Sequence, residues 1–314
     1  MDRRGLSRWG VLLAAVLLLP AQSRAYNEPS VNLGFTTFLD GGPPAGPGWY
    51  FQEYVQYRSV EQFNGNDGRE LRAPDGTPLS PNLDVWISLN QIVYQSNRVV
   101  LAGGKWGFEA ILPVVYFDLQ TPNRMGLREA SPALGDLYGG VFLQWDPIMG
   151  ERGPVFMHRI ELAAIAPTGK YDKRAALNGG AHFFSLNPYW AGTWWLLPRL
   201  TMSWRIHYLW NDENSHTGKQ AGQAVHSNLT LAYEVLPNRL RLGANAYQFH
   251  QIENTELNGR PLPGSKERVI AVGPGLVYHF SPHDHFFANL FFETGVENRP
   301  RSTVFQLRWT HHFH

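Results

Sequence analysis

The chain has 314 residues, with 27 Lys and Arg against 26 Asp and Glu, 11 tryptophans and no cysteine. Setting aside the four basic residues and one acidic residue among the first 25 leaves 23 against 25, a net charge of −2 with no basic stripe for a nucleic acid. Without cysteine, disulfides, thiolate metal sites and thiol-linked lipid anchors are excluded.

The N-terminus runs from basic MDRRGLSRWG through apolar VLLAAVLLLP to AQSRA, which ends in small residues. That order predicts a secretory signal peptide over residues 1–25, cleaved after Ala25. Its apolar run is ten residues, short of the ~20 a spanning helix needs. Beyond it no segment approaches ~18 unbroken apolar residues and the mean hydropathy is −0.29, so helical spans are excluded. Alternating strands dilute their apolar residues and stay possible as spans.

Residues 26–48 form an N-terminal segment, rich in Gly and Pro toward its end, with a short apolar patch at Leu33, Phe35 and Phe38. It reads as a periplasmic tail or as a plug that enters a lumen. Glycine and proline allow sharp turns there without regular hydrogen bonding.

From residue 49 the chain alternates apolar and polar residues between Gly, Pro, Asn and Asp punctuation, which predicts twelve strands. They cover 49–59, 83–94, 106–118, 136–146, 154–166, 183–196, 200–210, 222–235, 239–251, 267–280, 285–296 and 302–313. Most exceed the ~5–6 residues of soluble strands and match the ~9–11 that cross a bilayer at a tilt. Connections after even-numbered strands are short, SNRVVLAGGK being the longest, whereas those after odd strands are long except for ENRPR. Short turns on one side and long loops on the other are the asymmetry of an outer-membrane barrel. The expected fold is therefore all-β: a transmembrane antiparallel up-and-down β-barrel of about twelve strands over residues 49–314, with both termini periplasmic.

LTMSWRIHYLW (200–210) shows what a barrel demands of each strand. Met202, Trp204, Ile206, Tyr208 and Trp210 share one face, and Ser203, Arg205 and His207 the other. In a bilayer the apolar face meets lipid, and aromatics gather near the headgroups. Trp49, Tyr57, Trp106, Trp145, Trp194, Tyr208, Trp210 and Trp309 are placed that way. The opposite faces collect Arg159, Glu161, Arg205, His207, His226, Asn228, Glu234, Arg241, Asn245, His285, Asn289, Glu293, Gln306 and Arg308. With Tyr54, Trp86, Tyr138, Phe142 and Tyr189, the residues Arg159, Glu161, Arg205, His207, His226, Asn228, Arg241, Asn245, Glu293 and Arg308 are candidates for a lumenal solute path. A cross-strand ladder that fixes register is the alternative role for the charged ones. Glu53 breaks the outward face of the first strand, where a bulge or register shift is expected.

The last strand, with Phe305, Leu307, Trp309, His311 and Phe313 on one face, resembles the C-terminal aromatic strand read by the outer-membrane assembly machinery, although His314 sets the terminal aromatic one place early. NLGFTTFLDGGPPAGPGWYFQEY, SLNQIVYQS, GDLYGGVFLQWDPI, PTGKYD, NPYWAGTWW, HYLWN, LRLGANAYQ and LRWTHHF resemble the outer-membrane proteins named for the meta-pathway of phenol degradation. The resemblance implies a barrel associated with uptake of aromatic or other apolar compounds, and it brings no catalytic residue with it.

APTGK (166–170) lacks the upstream glycine and the Ser/Thr of a phosphate loop and reads as a turn. His279, His283, His285, His311, His312 and His314 sit at strand ends and read as interfacial or lumenal polar residues rather than metal ligands. His226 and Ser227, adjacent on a strand, point to opposite faces and cannot pair as base and nucleophile. The expectation is thus a monomeric channel in the bacterial outer membrane, with lipid and a small apolar or aromatic solute as partners and no cofactor, metal or covalent chemistry. A structural or adhesive barrel with a closed lumen is the alternative, ahead of an outer-membrane acyl hydrolase or a soluble periplasmic barrel.

Overall fold

The computed structural model describes residues 31–79, 81–120 and 127–313; the expected signal peptide and His314 lie outside them. Its wall consists of β1 (Gly48–Phe63), β2 (Leu83–Leu101), β3 (Gly104–Leu119), β4 (Leu137–Gln144), β5 (Gly153–Ala166), β6 (Tyr189–Leu197), β7 (Leu200–Asn211), β8 (Ala224–Leu236), β9 (Leu240–Gln251), β10 (Arg268–His279), β11 (Asp284–Glu297) and β12 (Pro300–His312). Each strand pairs antiparallel with its chain neighbours. The sheet closes where β12 meets β1, from Tyr50 opposite His312 to Phe63 opposite Pro300. Closure leaves no sheet edge, the condition for backbone to cross hydrocarbon.

The predicted strands all correspond to strands of the wall, with two instructive departures. β2 continues to Leu101 and turns through Ala102 and Gly103 at φ 50° and 81°, so the expected ten-residue connection is mostly strand ended by a two-residue hairpin. The expected 183–196 strand is divided: Ser185–Leu186 forms a short bridge to β5 and β7, and β6 begins only after Pro188, which has no N–H for the ladder. At Glu53 the register is continuous with both neighbours, opposite Trp309 and Asn90, and the irregularity in β1 falls instead between Val60 and Gln62. The expected bulge at Glu53 is therefore absent, and its side chain points outward with its cross-strand partners.

Outside the wall face, Trp49, Trp106, Trp194, Tyr208, Ile206, Leu231 and Trp309 are exposed. The inner face is nearly solid. Tyr247, Phe249, Val269, Phe291 and Val304 pack with Val31 and Leu33 of the N-terminal segment, and Phe38 packs with Ala232, Val277 and Phe287. The barrel thus buries an apolar core that its own N-terminal segment completes.

Candidate functional site

The lumen is occupied by residues 31–47, and the wall residues that hold them come from strands all around the barrel. Gly34 N donates to Asn228 Oδ1 on β8 at 2.9 Å, Leu39 N to Ser203 Oγ on β7 at 3.0 Å, and Gly41 N to Thr193 Oγ1 on β6 at 2.8 Å. From the wall, Gln306 Nε2 donates to Phe35 O at 2.7 Å and Gln144 Nε2 to Gly41 O at 2.9 Å. Asn228 Nδ2 also reaches Asn32 Oδ1 and Thr36 Oγ1, at 2.7 and 3.0 Å. An irregular backbone cannot satisfy itself, so at this depth it requires such partners.

Among the described residues, one ionic contact joins segment and wall. Asp40 accepts two hydrogen bonds from Arg205, at 2.8 and 2.7 Å, and both side chains are less than a tenth exposed. The Arg205 guanidinium lies 4.1 Å from the Tyr189 ring centroid, which orients its planar fork toward the carboxylate. Val31, Leu33, Phe35 and Phe38 are all buried, each contributing about 1.5–3 kcal/mol by apolar burial.

The backbone of the segment is fitted to the wall. At Gly34 φ is 81° and a Cβ would meet the Phe291 and Tyr247 rings. At Gly41 a Cβ would run into the backbone of Met157 and Thr193, so the chain touches the wall itself. Phe38 and Leu39 take φ of 24° and 57°, turning the chain back toward the wall.

Fourteen of the fifteen wall residues singled out in the sequence face the lumen. Tyr138 and Tyr189 donate to Glu161 at 3.1 and 2.7 Å, and Arg159 stacks on Phe142 at 3.8 Å. Glu293 accepts from Tyr247 and from Arg58, at 2.6 and 2.5 Å. Asn245 accepts from Thr230 at 2.7 Å and donates to Asn289 at 2.8 Å, and Arg241 donates to Glu234 at 3.1 Å. Arg308 lies 3.4 Å over Phe287 and faces Tyr54. His207 Nδ1 and His226 Nε2 both lie 3.1 Å from Asn187 Oδ1, and their rings stack 4.2 Å apart. Trp86 is the correction: it points outward, 46% exposed, packed against Tyr57. Its strand inverts the usual contrast, with Leu83, Val85, Ile87 and Leu89 pointing inward while Asp84, Ser88 and Asn90 share the outer face with Trp86, so alternation assigned that face to the lumen.

Of the residues that grip the segment, Arg205, Asn228, Ser203 and Gln306 were placed on the inner face by the sequence reading, whereas Asp40, Gln144 and Thr193 were missed. Thr193 shares strand parity with its lumenal neighbours, a usable signal. Asp40 had none, lying in a stretch without periodicity. The histidines at the short-turn mouth form pairs, His279 with His285 and His283 with His312, with Nδ1 atoms 2.7 and 3.0 Å apart. At the opposite mouth Glu267 lies 3.3 Å from Arg299, and burial pushes its carboxyl up to about 7.

Beside the segment, against β2, β3 and β4, lies a narrow cavity of about 60 Å³ bounded by Phe35, Leu89, Ile111, Pro113, Tyr138 and His207. That is well short of the ~150 Å³ in which an apolar protein cavity holds benzene. This cavity is too small to hold an aromatic molecule beside the seated residues 31–47.

A closed twelve-stranded antiparallel barrel with an apolar outer face is the architecture of an outer-membrane β-barrel. The chain belongs to the family described as "Putative MetA-pathway of phenol degradation", matched over residues 63–309. In shape it is similar to the COG4313 outer membrane channel from Pseudomonas putida F1, with a TM-score of 0.71, 16% identity, and 90% of this chain and 100% of that chain covered. More distant similarity extends to the KdgM porin, with a TM-score of 0.42, 9% identity, and 84% and 99% of the two chains covered. The TodX monoaromatic hydrocarbon channel deltaS2 mutant follows, with a TM-score of 0.45, 8% identity and coverages of 86% and 91%. Among curated proteins there is no significant sequence match.

Proposed function

We propose that this protein is an outer-membrane channel through which small hydrophobic or aromatic compounds enter by passive diffusion once the N-terminal segment moves. The observation that carries the reading is the filled lumen: a non-strand segment seated on wall side chains, beside a cavity too small for an aromatic ring. The segment precedes β1 and leaves from the short-turn end, which in outer-membrane barrels faces the periplasm. Both termini then lie in the periplasm, the signal peptide directs export, and the aromatic final strand engages the assembly machinery. Family membership supports aromatic compounds as the solute class.

Deleting residues 27–47 tests this in planar bilayers. The account expects higher single-channel conductance and weaker discrimination between apolar and polar solutes. A folded deletion variant with unchanged conductance would refute it. A lumen that stays shut in that variant would favour the structural or adhesive reading, which the dense inner face also fits.

A further inference from the structure

The outer surface of β1 and β2 carries a polar group where a lipid-facing wall has none. Glu53, Ser88 and Asn90 point outward and are half-buried. Ser88 Oγ donates to Glu53 Oε1 at 2.7 Å, and Asn90 Nδ2 reaches Ser88 Oγ at 3.2 Å and Leu112 O at 3.4 Å. Two aromatic pairs fix their height: Trp49 with Tyr94, 4.8 Å apart, and Tyr57 with Trp86, 4.7 Å apart. Glu53 stands four residues from Trp49 and four from Tyr57. At a rise of ~3.4 Å per residue and a ~45° tilt, it lies about 10 Å from each belt, at the middle of the apolar band.

Acyl chains offer no hydrogen-bonding group at that depth, so lipid cannot meet the outer sides of this carboxyl and this amide. A polar group kept in the band marks a contact with protein. Which protein follows from symmetry. Glu53 and Asn90 are cross-strand partners, side by side on neighbouring strands. A two-fold axis along the membrane normal, passing between them, lays the Glu53 carboxyl of each copy against the Asn90 amide of the other, where one Nδ2 hydrogen exchanges its long 3.4 Å contact with Leu112 O for the partner's carboxylate oxygen. The patch is complementary to itself.

We propose that the outer face of β1 and β2 docks a second copy of this chain within the membrane, through reciprocal Glu53–Asn90 hydrogen bonds. The proposal rests on the outward face being lipid-facing and is independent of what crosses the lumen. It replaces the monomer expected from sequence.

The absence of native cysteine makes the test clean. Val55 points outward next to Glu53 on β1, and Leu231 points outward from β8 on the far wall; both are exposed. Full-length Val55→Cys and Leu231→Cys are produced separately in outer membranes and treated with a short bis-maleimide. Heat-modifiable mobility verifies folding. Val55→Cys is expected to yield a covalent dimer at least tenfold above Leu231→Cys. Adding Glu53→Leu with Asn90→Leu should cut it at least tenfold, while Glu53→Gln, which can still pair with an amide, should retain it. Equal crosslinking at the two sites, a Val55→Cys dimer indifferent to the double leucine change, or an adduct to a different protein would each overturn the proposal. If the double variant does not fold, the comparison of Val55→Cys with Leu231→Cys still decides.

Discussion

Asp40→Ala is the sharpest perturbation of the occluding segment, because it removes one partner of a buried ion pair and leaves the wall sequence untouched. Arg205 and Asp40 are 9% and 8% exposed at the side chain and share two hydrogen bonds, at 2.7 and 2.8 Å. Removing one partner of such a pair costs about 3–5 kcal/mol, chiefly because the remaining charge stays buried without compensation. At 1.4 kcal/mol per tenfold, the ratio of released to seated segment rises roughly 100- to 4,000-fold. No strand pairing involves Asp40, so the barrel keeps its ladder. Hydrogen exchange reads the effect directly at the amides of Gly34, Leu39 and Gly41, whose acceptors are wall side chains. These should exchange about two orders of magnitude faster or more in the variant, with β-strand amides unchanged and channel openings more frequent. Unaltered exchange at all three amides would refute the role given to Asp40, as would a uniform loss of protection across the barrel.

Other perturbations follow from the same geometry. Ile206→Arg places a cation on the exposed outer face of β7 and should cost ~2–4 kcal/mol in folding titrations into bilayers; a silent substitution would reverse the assigned facing. Gly273→Ala brings a methyl against the Leu290 carbonyl, where backbone cannot yield, and should destabilise the barrel by about 1–3 kcal/mol in the same titration. Because burial raises the Glu267 carboxyl to about 7 from an ordinary 4.5, its contribution is fully present below pH 4.5 and is lost as the pH rises through 7. Protection of the Gln251 amide, which bonds Glu267 O at 2.9 Å, should therefore be greater at pH 5 than at pH 8 after correction for intrinsic rates. In Glu267→Gln that difference should disappear.

The strands were legible because a wall between lipid and a polar interior forces strict alternation, as LTMSWRIHYLW shows: Arg205 and His207 are buried, and Ile206 and Tyr208 exposed. Where the interior is itself apolar and the outer face carries polar residues, alternation inverted its contrast. That is why Trp86 was assigned to the lumen while Val85 and Leu83 fill it. Glu53 misled in the opposite sense, since a polar residue on the outer face resembles a register fault when its partners Ser88 and Asn90 are not known. The apolar patch of the N-terminal segment was visible at Leu33, Phe35 and Phe38. Its grip was not, because Asp40, Gln144 and Thr193 meet only through long-range closure of the barrel and no local period links them.

The central claim is that residues 31–47 must leave their seat for a solute to pass, and tethering them tests it most directly. Leu39→Cys with Ser203→Cys, at positions joined by a 3.0 Å hydrogen bond, allows the segment to be locked by oxidation or a short bis-thiol linker in a chain with no other cysteine. Uptake of labelled naphthalene is then followed in intact cells that produce the tethered or the cysteine-free protein. The account predicts that the tether lowers uptake to that of cells lacking the protein and that reductant restores it. Equal uptake by tethered and cysteine-free protein would contradict it.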